Sequence, residues 1–367
     1  MDTISELTRR ERVSGGTDPV FLGRSDIVVS PQPVGRFGVL TMRKILLLAA
    51  TAALLIPAAA NAQAIITNGT IGLGVDAGGQ LNIPGPTSRG GTGSYGLRDI
   101  ATGWEATAPG CLCEGWGAAV QGTGNTVYAN NAVGSSFTAV SFASTATTAT
   151  AVVTGGGLTV THAFSPSATP LLYQVDVTIT NTSGADFADK TLYRRTMDWD
   201  IEPTAFREFS TIQGTTGAAN VLAANNNGFC DSNALVFCSS LGATGDFIDV
   251  GPTDHGANFD FIFDALKAGA SQKLTIFYGA APTERAALGA LGNVGAEIYS
   301  FGQSSDDMLG GTPDRRTFIF GFKGVGGVII PDDDPLGVPE PTSWALMIMG
   351  FGFAGAAIRR RRVQTAA

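Results

Sequence analysis

Three acids alternate with apolar residues in the stretch Met197-Asp198-Trp199-Asp200-Ile201-Glu202-Pro203. Successive side chains of a strand point to opposite faces. Asp198, Asp200 and Glu202 are therefore expected on one face, with Met197, Trp199 and Ile201 packed on the other. Neighbouring carboxylates on such a face stand roughly 7 Å apart. Three kinds of chemistry are open to them. They could hold a hard cation such as Ca²⁺, which takes carboxylate oxygens. Two of them could form the acid pair of a glycosidase. They could also be plain solvent-facing surface balanced by Arg194 and Arg195 just upstream, through ion pairs that are individually weak. His162 and His255 have no Ser or Cys beside them in a recognisable nucleophile setting, and His255, in GPTDHGANF, reads as a loop residue. No catalytic motif is present, and Ca²⁺ is the one cofactor these residues suggest.

Four cysteines offer a second constellation. Cys230 and Cys238 stand eight apart and are expected to close a short loop as a disulfide. Cys111 and Cys113 flank one residue; a bond between them is strained but feasible, and cross-pairing with the other two is the alternative. A four-cysteine zinc site would want paired C-x₂-C spacings, which this chain lacks.

The elements that must position these residues are strands. LTVTHAF (Leu158 to Phe164) alternates, as does YQVDVTIT (Tyr173 to Thr180), where Tyr173, Val175, Val177 and Ile179 face one way. Asn181-Thr182-Ser183-Gly184 turns the chain, and Thr191 to Ile201 resumes. Further strands are expected at Asn258 to Phe263, Lys273 to Tyr278 and Thr317 to Phe322. Gly, Asn, Asp and Pro clusters separate them, the mark of an antiparallel β-sandwich or barrel, and a mainly β, sandwich-like body is the fold expected. Ser135 to Thr154 is ambiguous between strands and a polar connector. One helix is expected at Pro282 to Leu291, with Gly292 placed as its C-terminal cap. Gly91, Gly93 and Gly96 spell a dinucleotide fingerprint but lack a preceding strand and following helix, and read as a loop.

Between Gln63 and Ile358 the chain has 12 Lys and Arg against 26 Asp and Glu, a net of −14. So acidic a surface excludes nucleic-acid binding, which needs a basic footprint on phosphates.

Both ends carry targeting signals. Met42-Arg43-Lys44, the apolar run Ile45 to Ile56 and Ala60-Asn61-Ala62 form an n-region, h-region and small-x-small cleavage site. Residues 42–62 are thus expected to be a signal peptide removed between Ala62 and Gln63, with Met42 the true start and residues 1–41 outside the fold. The body is expected to span residues 63–330, followed by a stiff acidic linker at 331–338, where prolines bracket Asp332-Asp333-Asp334. Pro339-Glu340-Pro341 then precedes Trp344-Ala345, an apolar run to Ile358 and the block Arg359, Arg360, Arg361 and Arg362. Prolines on both sides hold Glu340 extended. Fourteen apolar residues make roughly 21 Å of helix, short against a hydrocarbon core of roughly 30 Å. Trp344 suits one headgroup level and the arginines the other, which places the arginines in the cytoplasm. Residues 363–367 are a short tail. Gly350, Gly352 and Gly355 repeat the dinucleotide pattern with no room for the βαβ unit it requires.

This arrangement resembles the PEP-CTERM sorting signal of Gram-negative bacteria over residues 339–362. The resemblance implies processing at or beside Pro339-Glu340-Pro341 by an exosortase, after export through the Sec machinery and signal peptidase. It also implies transient anchoring by a transmembrane helix and a final place at the cell surface or outside, often with exopolysaccharide. PGCLCEGWG, MDWDIEPTAF and YGAAPTERAAL look like stretches of other PEP-CTERM proteins of unassigned function and bring no activity with them. The expectation is an exported, non-enzymatic surface protein. The alternative is a glycan-binding module or carbohydrate-active enzyme using the Asp198, Asp200 and Glu202 face with exposed Trp104, Trp116 or Trp199.

Overall fold

A computed structural model describes residues 63–305 and 315–331. The signal-peptide and sorting segments, including Ala60, Ala62 and the stretch from Pro339 to Arg362, lie outside the described residues.

The body is an antiparallel β-sandwich. In its larger sheet nine strands lie side by side in the order Phe247–Thr253, Glu208–Gln213, Ile298–Gln303, Thr317–Lys323, Ser271–Ala281, Leu172–Asn181, Leu158–Pro166, Ala149–Gly155 and Thr138–Ser144. The second sheet has five, in the order Val221–Asn225, His255–Phe263, Thr191–Trp199, Gly115–Val120 and Thr126–Asn130. A three-stranded sheet (Gln63–Thr67, Ile71–Asp76, Leu97–Asp99) and a two-stranded one (Ile83–Pro84, Ser94–Tyr95) complete it.

Alternation drives the assembly. Along Leu172–Asn181 the residues Tyr173, Val175, Val177 and Ile179 are fully buried, while Asp176 between them is exposed. Facing residues of the two large sheets meet as aromatic pairs. The Phe259 ring lies 5.7 Å from Phe320 and 4.8 Å from Phe322, and Phe261 lies 4.9 Å from Phe322. Each such side chain, fully buried, contributes about 1.5–3 kcal/mol of transfer free energy. The stretch Ser135 to Thr154 resolves into the strands Thr138–Ser144 and Ala149–Gly155, paired to each other.

The helix runs Glu284–Val294 and covers the outer face of the nine-stranded sheet, where Ala287, Ala290 and Leu291 pack on Phe277, Phe301 and Ile319. Thr283 caps its start by accepting from the Ala286 N–H at 3.2 Å. Gly295, not Gly292, ends it: its φ of 67° is the left-handed conformation that closes the last turn. Gly292 lies inside the helix, which packing on the sheet carries one turn past the point that glycine suggests.

Candidate functional site

The strand Thr191–Trp199 pairs with His255–Phe263 so that Trp199 lies opposite His255 and Asp198 opposite Gly256. Glu208 opens the strand Glu208–Gln213, opposite Thr253. Residues 200–207 carry the chain from the five-stranded sheet to the nine-stranded one, and Asp254 marks its return. Register therefore brings Asp198, Asp200, Glu208 and Asp254 to the same end of the sandwich.

Carboxylate oxygens of Asp198, Asp200 and Asp254 all lie within 4.8 Å of one another. Asp198, Asp200 and Glu208 are buried, with 1%, 0% and 0% of their surface exposed, and Asp254 opens the cluster to solvent. Apart from the contact between Asp198 and Asp200 and the backbone N–H groups of Arg207 and Glu208 beside the Glu208 carboxyl, one oxygen of Asp198, both of Asp200 and both of Glu208 have no hydrogen-bond partner. Burial, then repulsion from Asp200, Asp254 and Glu208, pushes the Asp198 carboxyl far above its ordinary range. Asp200 also moves up, again chiefly by burial. Burial and the neighbouring Asp200 and Asp254 push Glu208 up to about 10. Negative charge here is balanced by no arginine or lysine bonded to these carboxyls among the described residues, so the cluster can hold either protons or a cation.

The surroundings brace it. His255 Nε2 donates to the Glu208 carbonyl at 3.0 Å, and its Nδ1 accepts from Asn226 at 3.3 Å. Trp199 Nε1 donates to Ser300 Oγ at 3.1 Å, tying the strand end to the opposite sheet. Cys111 and Cys113 are bonded to each other and lie against Asp198. Cys230 bonds Cys238. Gly110 separates Asp200 from an open cleft of about 490 Å³ lined by Gly90, Thr92, Glu202 and Phe206. A Cβ at Gly110 would come within 3.5 Å of Asp200 Oδ2 and 2.5 Å of the Phe206 ring.

Several expectations are corrected. The three acids do not share an exposed face, because the strand ends at Trp199 and all nine of its residues are buried on both sides. Glu202 is turned away from Asp198 and Asp200. Its carboxylate accepts from the hydroxyls of Ser88 and Thr92 and from the N–H groups of Gly90 and Glu105, so it pins a glycine-rich loop. Gly91 and Gly93 lie in that loop. Arg194 and Arg195 serve other partners. Arg194 grips Asp260 in a bidentate pair at 2.6 and 2.9 Å. Arg195 is buried against Glu114, which also accepts from the Tyr278 hydroxyl at 2.7 Å. Trp116 and Trp199 are fully buried, and Trp104 is half-buried with the Arg89 guanidinium 4.5 Å over its ring. None of the three offers an open face for a sugar. His255 is not a loop residue but begins a buried strand.

The sequence reading missed Asp254 and Glu208. Their signal is not spacing but position: each stands at the boundary of a strand, and only the pairing of Trp199 with His255 shows that these boundaries coincide.

Comparison with known proteins bears on the other end of the chain. Residues 337–362 match the PEP-CTERM protein-sorting motif. The chain therefore carries a sorting signal of that kind, and the motif implies export with an exosortase as processing partner. No curated protein matches the chain. Among solved structures, a candidate aldose 1-epimerase from Escherichia coli K12 is 12% identical, covering 74% of this chain and 94% of that one at a TM-score of 0.30. A galactose mutarotase related enzyme from Lactobacillus acidophilus is 9% identical, covering 74% and 88% at a TM-score of 0.27. Likenesses this distant bear on neither activity nor ligand.

Proposed function

We propose that this protein is an exosortase substrate whose β-sandwich body is delivered to the cell surface or its exopolysaccharide layer. The match of residues 337–362 to the sorting motif carries the reading. Two disulfides that take up all four cysteines support it, since such bonds persist in oxidising compartments outside the cytoplasm. In this reading Arg359 to Arg362 hold the tail's end in the cytoplasm, because moving four charges through hydrocarbon is costly. The short apolar run parks the chain while Pro339-Glu340-Pro341 is presented outside for cutting. We assign the body no reaction.

The test is cell fractionation in the native host. A Glu340→Ala variant is expected to stay in the membrane fraction, while the wild type appears at the surface or in the medium. Wild-type release of the Glu340→Ala variant would contradict the role given to the motif.

A carbohydrate-active reading loses its geometric basis at the Asp198, Asp200 and Glu202 face. Asp198 and Asp200 are buried, and Glu202 is committed to Ser88, Thr92, Gly90 and Glu105.

A further inference from the structure

We propose that Asp198, Asp200 and Asp254, with Glu208 behind them, form a binding site for one Ca²⁺ ion that ties together the two crossovers between the large sheets. Several observations converge on this site.

The first is the oxygen spacing. Two oxygens on one Ca²⁺ at 2.3–2.6 Å stand at most about 5 Å apart, and on Mg²⁺ at 2.0–2.1 Å at most about 4.2 Å. The oxygens of Asp198, Asp200 and Asp254 fall within 4.8 Å of one another. That bound lets one oxygen from each of the three residues reach a single cation of Ca²⁺ size.

The second is the state of the carboxyls. Beyond the contact between Asp198 and Asp200 and the backbone N–H groups of Arg207 and Glu208 beside the Glu208 carboxyl, both oxygens of Asp200 and of Glu208 and one oxygen of Asp198 are buried without a hydrogen-bond partner. Buried charged groups are ordinarily paired or coordinate a metal. Arg194 is engaged by Asp260 and Arg195 by Glu114, while Arg207, next to Glu208, is exposed and bonds none of these carboxyls through its side chain among the described residues. His255 directs its Nε2 to the Glu208 carbonyl at 3.0 Å and not to a carboxyl of the cluster.

The third is donor type. Cys111 and Cys113 approach Asp198 but are bonded to each other and offer no thiolate. The donors left are all carboxylate oxygens, the set that selects hard cations over zinc or copper. Asp254 gives the ion an entry from solvent, where water can complete its coordination.

The site differs from the row of acids that sequence spacing suggests. Glu202 leaves the set, and Glu208 and Asp254 enter it through strand register. The proposal does not depend on sorting by exosortase, because the purified protein can be tested wherever it is collected.

The experiment is calcium titration of the mature exported protein, first stripped with a chelator, followed by calorimetry and thermal unfolding. One Ca²⁺ per chain is expected, with a midpoint of roughly 0.1–1 mM, the range of extracellular modules, and a rise of several degrees in Tm. Mg²⁺ should bind more weakly. Asp200→Asn and Asp254→Asn should each weaken binding about tenfold or more. Asp254 is exposed, so that variant keeps the test sharp if the buried one fails to fold. Asp333→Asn, in the acidic linker, should bind as the wild type does. Absence of binding by the stripped wild type up to 10 mM Ca²⁺ would overturn the site, leaving a cluster neutralised by protons. Wild-type binding by Asp254→Asn, or loss of binding only in Asp333→Asn, would overturn it equally.

Discussion

Charge in this protein is handled residue by residue, and each arrangement predicts a different cost of removal. Glu202 satisfies two hydroxyls and two backbone N–H groups at once. Glu202→Ala leaves those donors without an acceptor and should lower the unfolding free energy by about 2–4 kcal/mol, measured by urea denaturation. Glu114 meets Arg195, the Tyr278 hydroxyl and the Leu81 N–H in a fully buried network. Glu114→Ala strands a buried guanidinium and should cost about 3–5 kcal/mol by the same measurement. Replacing Glu114 and Arg195 together with apolar residues should cost less than Glu114→Ala alone. His162 is fully buried, its Nε2 within 3.0 Å of the Tyr193 hydroxyl, and burial, then the nearby Arg195, holds its pKa well below the ordinary 6.5. The native state therefore binds fewer protons there than the unfolded chain. This contribution is complete above pH 6.5 and is lost as pH falls below it. Denaturation midpoints measured between pH 7 and pH 5 should fall more steeply in the wild type than in His162→Gln. Equal slopes would show that His162 is not the group responsible.

At the scale of elements, sequence pattern and structure agree where a strand has one wet face and part where it has none. The alternation of Tyr173 to Ile179 marks both the strand and its buried side, because Asp176 and its neighbours meet solvent. In Thr191–Trp199 the same period is present but misleads. The segment 226–246 covers the second face, as Arg194 shows by donating to the Asp231 carbonyl at 2.6 Å. An acid in that strand is buried whichever way it points. The candidate site was therefore half legible: Asp198 and Asp200 stand out in the sequence, whereas Glu208 and Asp254 join them only through long-range register. Helix ends were legible only to within two or three residues, Pro282 and Leu291 standing for the observed Glu284 and Val294. Thr283 is a good N-cap residue, and Thr283→Ala should lower stability by about 1 kcal/mol, read from the urea midpoint. The short loop closed by Cys230 and Cys238 is a second local device. Peptide mapping without reductant should recover Cys230 joined to Cys238, and Cys230→Ser with Cys238→Ser should cost roughly 2–3 kcal/mol.

For the molecule as a whole, the sorting motif at residues 337–362 bears on where it goes, and the sandwich is what is delivered. A net charge of −14 between Gln63 and Ile358 disfavours adhesion to anionic membranes or nucleic acid. The sorting motif gives the central claim its most direct measurement, the intact mass of the protein recovered from its native host, set beside that from a host lacking exosortase. The account predicts a mature chain in the native host that begins near Gln63 and ends near Pro341. Without exosortase the residues from Trp344 to Arg362 should remain attached. Recovery of Trp344 and the four arginines on the mature protein of the native host would contradict it and make the segment a permanent anchor.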